Sequence, residues 1–171
     1  MRTHVITFLR RIIAPTALLA LAACAPAPIY KPSADAVAAS PLEVAQSPER
    51  FTQRSVIWGG RIVGVKNLSD RSEVEILAYP LDNSQRPKAS DNGSGRFIAV
   101  MPGYVEPIDY PPGALITLSG KLDGTRAGKV GDASYVFPLL SVGQSHIWTA
   151  EEMRGGKPNI NFGVGLGVGI R

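Results

Sequence analysis

The spacing of apolar residues confines this chain more than any other feature. From Arg54 onward they recur at every second position in short runs, and Gly, Pro, Asn and Asp interrupt the runs. A period of two marks a strand with one buried face, and the interruptions mark turns. In Ser55–Lys66, the residues Val56, Trp58, Gly60 and Ile62 share a face. In Ser72–Tyr79, Val74, Ile76 and Ala78 alternate with Glu73, Glu75, Leu77 and Tyr79, as in a half-buried antiparallel strand. Further strands are expected at Arg96–Val100, Ala114–Leu122 and Ala133–Leu140, with His146-Ile147-Trp148 as another short strand or a loop edge. Gly59-Gly60 within the first strand points to a bulge or sharp bend. Pro80–Gly95, Tyr104–Pro112 and Asp123–Gly131 read as loops and turns. Thr149-Ala150-Glu151-Glu152 has the spacing of a capping box and predicts a short helix. About five to seven strands in one small domain predict an all-β antiparallel barrel, OB-like with a Greek key, because closure removes exposed edges.

The tail extends the alternation. Phe162, Val164, Leu166, Val168 and Ile170 form a bulky face, and Gly163, Gly165, Gly167 and Gly169 a bare one. A Gly-x-x-x-Gly helix contact fits the same spacing, but glycine in an exposed helix costs about 1 kcal/mol each relative to Ala. The tail is therefore expected to be a strand that closes the barrel, with Trp58 or Trp148 lying across its glycines.

The N-terminus is of another kind. Arg2, Arg10 and Arg11 precede an apolar run, and small residues lead to Cys24, the sole cysteine. This is the build of an export signal. Ile12–Ala23 falls short of the roughly 20 residues a spanning helix needs. Leu21-Ala22-Ala23-Cys24 resembles the lipobox of bacterial lipoproteins. That resemblance implies cleavage between Ala23 and Cys24 and acylation of Cys24 with three chains. One chain binds lipid only marginally; several anchor stably. Ala25 in place of Asp implies, by the enteric sorting pattern, the outer membrane. Three of the 18 basic residues leave with the signal, so the net side-chain charge falls from +4 to 15 − 14 = +1. Basic residues scattered singly give no footprint for nucleic acid. Ala25 to about Ser47 is punctuated by prolines and predicts an extended tether; Leu42–Ala45 has room for one helical turn before Pro48. The expected organisation is a signal peptide over 1–23, a lipidated cysteine and flexible tether over 24–53, and a β domain over 54–171.

Catalytic constellations are sparse. His146 is the one histidine after cleavage, too few for a zinc site, and beside Ile147-Trp148 it reads as a packed structural residue. Gly93-Ser94-Gly95 is a loop and not a nucleophile turn. Glu73 and Glu75 share a strand face, as paired glycosidase carboxylates can; with Val74 and Ile76 inward, they read as a solvated face. No cofactor or metal site is expected. Among the aromatics, Tyr104 and Tyr110, in a proline-rich loop, are the candidates for an exposed binding surface.

Ordered blocks carry a resemblance across the chain. They are Val56-Ile57-Trp58-Gly59-Gly60-Arg61-Ile62, then Glu73–Asp82, Gly95–Ala99, Glu106-Pro107 with Tyr110–Gly113, Ile116–Gly120, Gly128–Gly131, and Tyr135–Pro138 with His146–Trp148. With the lipobox, the set resembles the Slp family of outer-membrane lipoproteins, induced by starvation and in stationary phase. The resemblance implies a location and an expression habit; it supplies no reaction and no catalytic residues. The expected function is a non-enzymatic lipoprotein, anchored to outer-membrane lipid by acylated Cys24 and facing the periplasm. It would serve envelope maintenance under stress through contacts with an envelope protein. The alternatives are a module binding a saccharide or peptidoglycan fragment and, ranked last, a periplasmic hydrolase.

Overall fold

The computed structural model describes residues 27–155. Five strands make a closed barrel: β1 Ser55–Asn67, β2 Arg71–Tyr79, β3 Arg96–Pro102, β4 Leu115–Val130 and β5 Ala133–Trp148. Their order around the barrel is β1-β2-β3-β5-β4. β3 runs parallel to β5, and every other neighbouring pair is antiparallel. Because β3 is followed in space by β5, residues 103–114 cross one end of the barrel to reach β4. This is the Greek-key crossing of an OB-like barrel, and the all-β class expected from the alternation is the one observed.

β1 makes closure possible. Its first half pairs with β4 and its second half with β2, and Gly59, Gly60 and Arg61 pair with both. Alternate residues of the strands fill the interior: Val56, Trp58 and Ile62, then Val74 and Ile76, then Phe97, Ala99 and Met101, then Ile116, Leu118 and Leu122, with Leu140. Trp58 and Phe97 meet edge to face with ring centres 4.9 Å apart. Each large apolar side chain so buried contributes about 1.5–3 kcal/mol.

Two backbone crossings admit only glycine. A Cβ on Gly60 would lie 2.0 Å from the Leu77 carbonyl oxygen, and one on Gly120 2.1 Å from that of Ser141. The irregularity in β1 falls between Ile62 and Gly64 and not at Gly59-Gly60; the paired glycines serve close approach instead. Asp123–Gly131 is likewise not a long turn. β4 and β5 run on past the barrel as a two-stranded arm, Thr125–Val130 against Ala133–Pro138. The arm reverses at Gly131, whose φ is +60°. His146–Trp148 is the end of β5 and not a separate element.

Residues 30–53, which their proline content placed in the tether, pack on the barrel. Tyr30 is buried, and its backbone N–H and C=O both bond the Gln85 side chain, at 2.8 and 2.9 Å. Val37 donates its N–H to the Ser55 carbonyl, and Trp58 Nε1–H donates to the Ala39 carbonyl at 2.7 Å. Helix α1, Pro41–Gln46, starts with a capping box in which Ser40 and Glu43 cap each other. Its Val44 joins the core. α1 lies where β1 and β3 begin, with Leu42 N–H on the Ser94 carbonyl. Residues 103–114 cover the opposite end. There Asn67 donates to the Val105 carbonyl and Ser72 Oγ to that of Gly103, and Val105, Tyr110 and Ala114 pack on the core. A short helix α2, Ala150–Met153, carries the expected Thr149–Glu152 capping box.

The tail 161–170 lies outside the described residues. The ring is complete from strands within residues 55–148, so closure does not require the tail. Trp58 and Trp148, the rings expected across its glycines, are 6% exposed with their N–H groups bonded to Ala39 and Thr117.

Urea midpoints test the glycine crossings. Gly60→Ala and Gly120→Ala are each expected to destabilise the domain by about 1–3 kcal/mol or more, through overpacking against backbone. Gly64→Ala, whose Cβ would meet nothing within 4 Å, should stay within about 0.5 kcal/mol of wild type. Equal midpoints for all three variants would refute close approach as the reason for these glycines.

Candidate functional site

OB barrels bind oligonucleotides and oligosaccharides on the outer face of the second and third strands, between the β1–β2 and β4–β5 connections. Here that face carries Glu73, Glu75 and Leu77 of β2 opposite Val100, Ile98 and Arg96 of β3. The β4–β5 arm leans over it and delivers Arg126. The guanidinium grips Glu73 with two parallel bonds, Nη1 to Oε1 at 2.8 Å and Nη2 to Oε2 at 2.9 Å. Arg71 approaches the same carboxylate at 3.5 Å. Glu75 pairs with Arg96 at 2.6 Å, and the Arg96 N–H donates to the Tyr135 hydroxyl at 2.7 Å.

Glu73 is 6% exposed, which corrects its expected place on a solvated face. Alternation along β2 shows that it points out of the barrel, but not that the arm covers it there. The hydrogen bonds from Arg126 hold its carboxyl below the usual carboxylate range; burial opposes them, and Arg71 adds to the lowering. Glu73 is thus held as the carboxylate by a bidentate partner, and it is not kept protonated, as a general acid must be.

A second polar cluster lies outside β1, β4 and β5. Thr117 is fully buried; its Oγ1 donates to the Gln85 carbonyl at 2.7 Å and accepts from Trp148 Nε1–H at 2.9 Å. His146 packs edge to face on Trp148, ring centres 4.6 Å apart, and its Nε2 is 3.3 Å from Glu152 Oε1. Glu152 Oε2 accepts the Thr149 N–H, and Arg86 donates to the Glu152 carbonyl. The packed structural role expected of His146 matches this geometry. These groups join the 80–90 loop and α2 to the barrel wall.

Tyr104 is 64% exposed. Tyr110 is half-buried and packs on the core, beside Tyr30; burial first, and the Tyr110 phenol second, push the Tyr30 hydroxyl pKa up. The loop therefore presents one of the two tyrosines outward and turns the other inward. Gly95 supports α1, since a Cβ there would lie 3.0 Å from the Leu42 nitrogen. Ala23 and Cys24 lie outside the described residues. Among the described residues, no group of three metal-ligating side chains occurs, and no helix is long and apolar enough to cross a membrane. A shallow groove of about 260 Å³ runs between the 31–36 segment and the barrel, lined by Lys31, Ser55, Lys121 and Gln144 among others. A broader hollow of about 560 Å³ lies beside Asp82, Arg86 and Arg154. Among the described residues, neither is lined by an aromatic ring on which a sugar would stack.

Residues 21–164 match the family model of the outer membrane lipoprotein Slp family. An uncharacterized lipoprotein, YeaY, of Escherichia coli (strain K12) is 30% identical over 135 residues, 78% of this chain and 69% of the relative. An uncharacterized protein of Haemophilus influenzae is 34% identical over 106 residues, 60% of this chain and 57% of its own. The outer membrane protein Slp of Escherichia coli (strain K12) is 24% identical over 110 residues, 64% of this chain and 58% of its own. The alignments thus span less than two thirds of the latter two relatives. No solved structure matches.

The Glu73–Arg126 clamp makes a prediction with a fixed sign in pH. A carboxyl whose folded pKa is depressed stabilises fully above its unfolded value and loses that contribution as pH falls through the folded value. Glu73→Gln and Arg126→Ala should each cost about 1.5–3 kcal/mol at neutral pH, the range for hydrogen bonds to charged groups. The double variant should cost clearly less than their sum. The deficit of Glu73→Gln should shrink once pH drops below about 4. Urea midpoints at both pH values decide it, and a deficit that is independent of pH would count against an ionic clamp.

Proposed function

Since the chain belongs to the outer membrane lipoprotein Slp family, we propose that it is a non-enzymatic envelope component, acylated at Cys24 and projecting its barrel into the periplasm. It is an outer-membrane lipoprotein of that family. The observation that carries the reading is that the family match opens at Leu21, the first residue of the lipobox Leu21–Cys24. The use of the polar side chains supports a role without catalysis. Glu73, Glu75, Thr117 and Trp148 direct their polar atoms at partners within the domain. A catalytic centre instead needs groups converging on a space where a reacting atom can sit. The role proposed is envelope maintenance under starvation or in stationary phase, through contact with another envelope protein.

Replacing Cys24 by Ser tests the anchor. The variant is expected to lose fatty-acid labelling, to remain as uncleaved precursor, and to leave the outer-membrane fraction. Retention of label and membrane fractionation by the Ser variant would overturn the assignment of Cys24. Immunoblots across growth phases test the role, and a protein level unchanged into stationary phase would count against it.

A further inference from the structure

We propose that the barrel end covered by residues 103–114 lies against the lipid surface that holds the anchor, with Ile108 and Tyr104 among the headgroups. This deepens the reading above and rests on acylation of Cys24.

The first observation is the distribution of exposed apolar surface. Ile108 is 83% exposed and Tyr104 64%, the two highest values among the exposed large hydrophobics of the described residues. They lie on one loop. Val136 and Leu42, at 42% and 48%, are single residues on the arm and α1, of the kind any surface carries; Val63, at 39%, follows Ile62, which bonds the 113–114 end of the same crossing.

The second observation is the length of the leash. Tyr30 is the first buried residue among those described, and 30 − 24 = 6 residues separate it from Cys24. Fully extended, such a link reaches about 20 Å. The barrel therefore stays within about 20 Å of the bilayer, close enough for one face of it to meet the lipid.

The third observation says which face. Gln85 holds both backbone polar groups of Tyr30, and the Gln85 carbonyl accepts from Thr117 on β4. Thr117 is two residues from Leu115, where the 103–114 crossing enters β4. Arg61 fixes that entry by donating to the Gly113 carbonyl at 2.9 Å. From Tyr30 the chain runs away from this end, past Ser55 where β1 starts, to α1 at the far end. The described chain therefore meets the domain at Tyr30, beside the loop, while Leu42 on α1 is carried away from it.

The loop's chemistry suits a headgroup layer. Tyrosine sits at the membrane interface with its ring in apolar surroundings and its hydroxyl in water. Glu106 and Asp109 flank Ile108, and their charges keep the loop from passing below the headgroups. The loop is already shaped: Asp109 N–H bonds the Glu106 carbonyl, Tyr110 N–H that of Pro107, and Ala114 N–H that of Pro111. Its docking therefore carries little ordering cost. A second copy or another envelope protein could also cover an apolar tip. The leash favours lipid, because it holds the bilayer at a high effective concentration beside this end.

The experiment uses the mature lipidated protein in vesicles of phosphatidylethanolamine and phosphatidylglycerol. Acylation consumes the Cys24 thiol, so Ile108→Cys supplies the only site for a fluorescent label, and Lys129→Cys on the exposed arm is the reference. Flotation confirms anchoring, and circular dichroism confirms the fold of both variants. The label at 108 is expected to be quenched by iodide about threefold less than the label at 129, and to be quenched by brominated acyl chains. Equal iodide access at both sites in protein that floats would overturn the proposal and leave the anchor standing. Shielding from iodide without quenching by brominated lipid would assign the loop to a protein contact and overturn the lipid assignment. Protein that does not float would refute the acylation of Cys24, and this inference with it.

Discussion

Gly59, Gly60 and Arg61 pair on both sides at once, with Tyr79 to Leu77 on β2 and with Thr117 to Leu115 on β4. Three strands therefore run side by side at the middle of β1, and the sheet must curl sharply to bring its two edges together. The missing side chain at Gly60 lets the Leu77 carbonyl come within 2.0 Å of where a Cβ would be. The inward set of Val56, Trp58 and Ile62 falls in line around that point. Closure then removes the free edges that an open five-stranded sheet would leave for other chains to pair with. Both end covers depend on it as well, since Val44 of α1 and Tyr110 of the 103–114 crossing pack on the one core that the closed ring encloses.

The strands were legible because period two survives over most of their length. Val74, Ile76 and Ala78 are read inward from their spacing, and they are 0–1% exposed. The capping box at Thr149 and Glu152 was legible for a similar reason, as both partners lie within one turn. Three features escaped, each because its cause is distant in sequence. The proline-rich stretch 30–53 has the local composition of a tether, but Tyr30 meets Gln85 across 55 residues and Trp58 meets Ala39 across 19. Glu73 alternates outward as expected, and its burial comes from Arg126, 53 residues on. The arm itself was hidden by Gly124, Gly128 and Gly131, which suggested a turn where two strands in fact pair beyond the barrel.

The candidate site shows what this costs a sequence-based reading of function. Glu73 and Glu75 have the spacing of a carboxylate pair on one strand face, and only the partners decide their use. Arg126 takes both oxygens of Glu73, and Arg96 pairs with one oxygen of Glu75. The face that OB barrels use for ligands is here bridged by the protein's own arm. A ligand seeking that face would have to break a bidentate Arg–carboxylate pair, among the stronger polar contacts a protein makes.

With those polar groups spent internally, placement becomes the property that distinguishes the domain. The chain from the lipobox reaches the barrel wall at Tyr30 and then follows the wall to the far end as a strap. It bonds at Ser55 and Trp58 before α1 enters the core. A pull on the N-terminus therefore loads the Tyr30–Gln85 pair and the strap's bonds before it reaches the ring of strands. A long free tether would have decoupled the barrel from its anchor and let it sample every orientation over the membrane. Packing from Tyr30 onward replaces such a tether with a strap bonded to Gln85, Ser55 and Trp58, so that from Tyr30 on the N-terminal segment and the barrel wall form one piece.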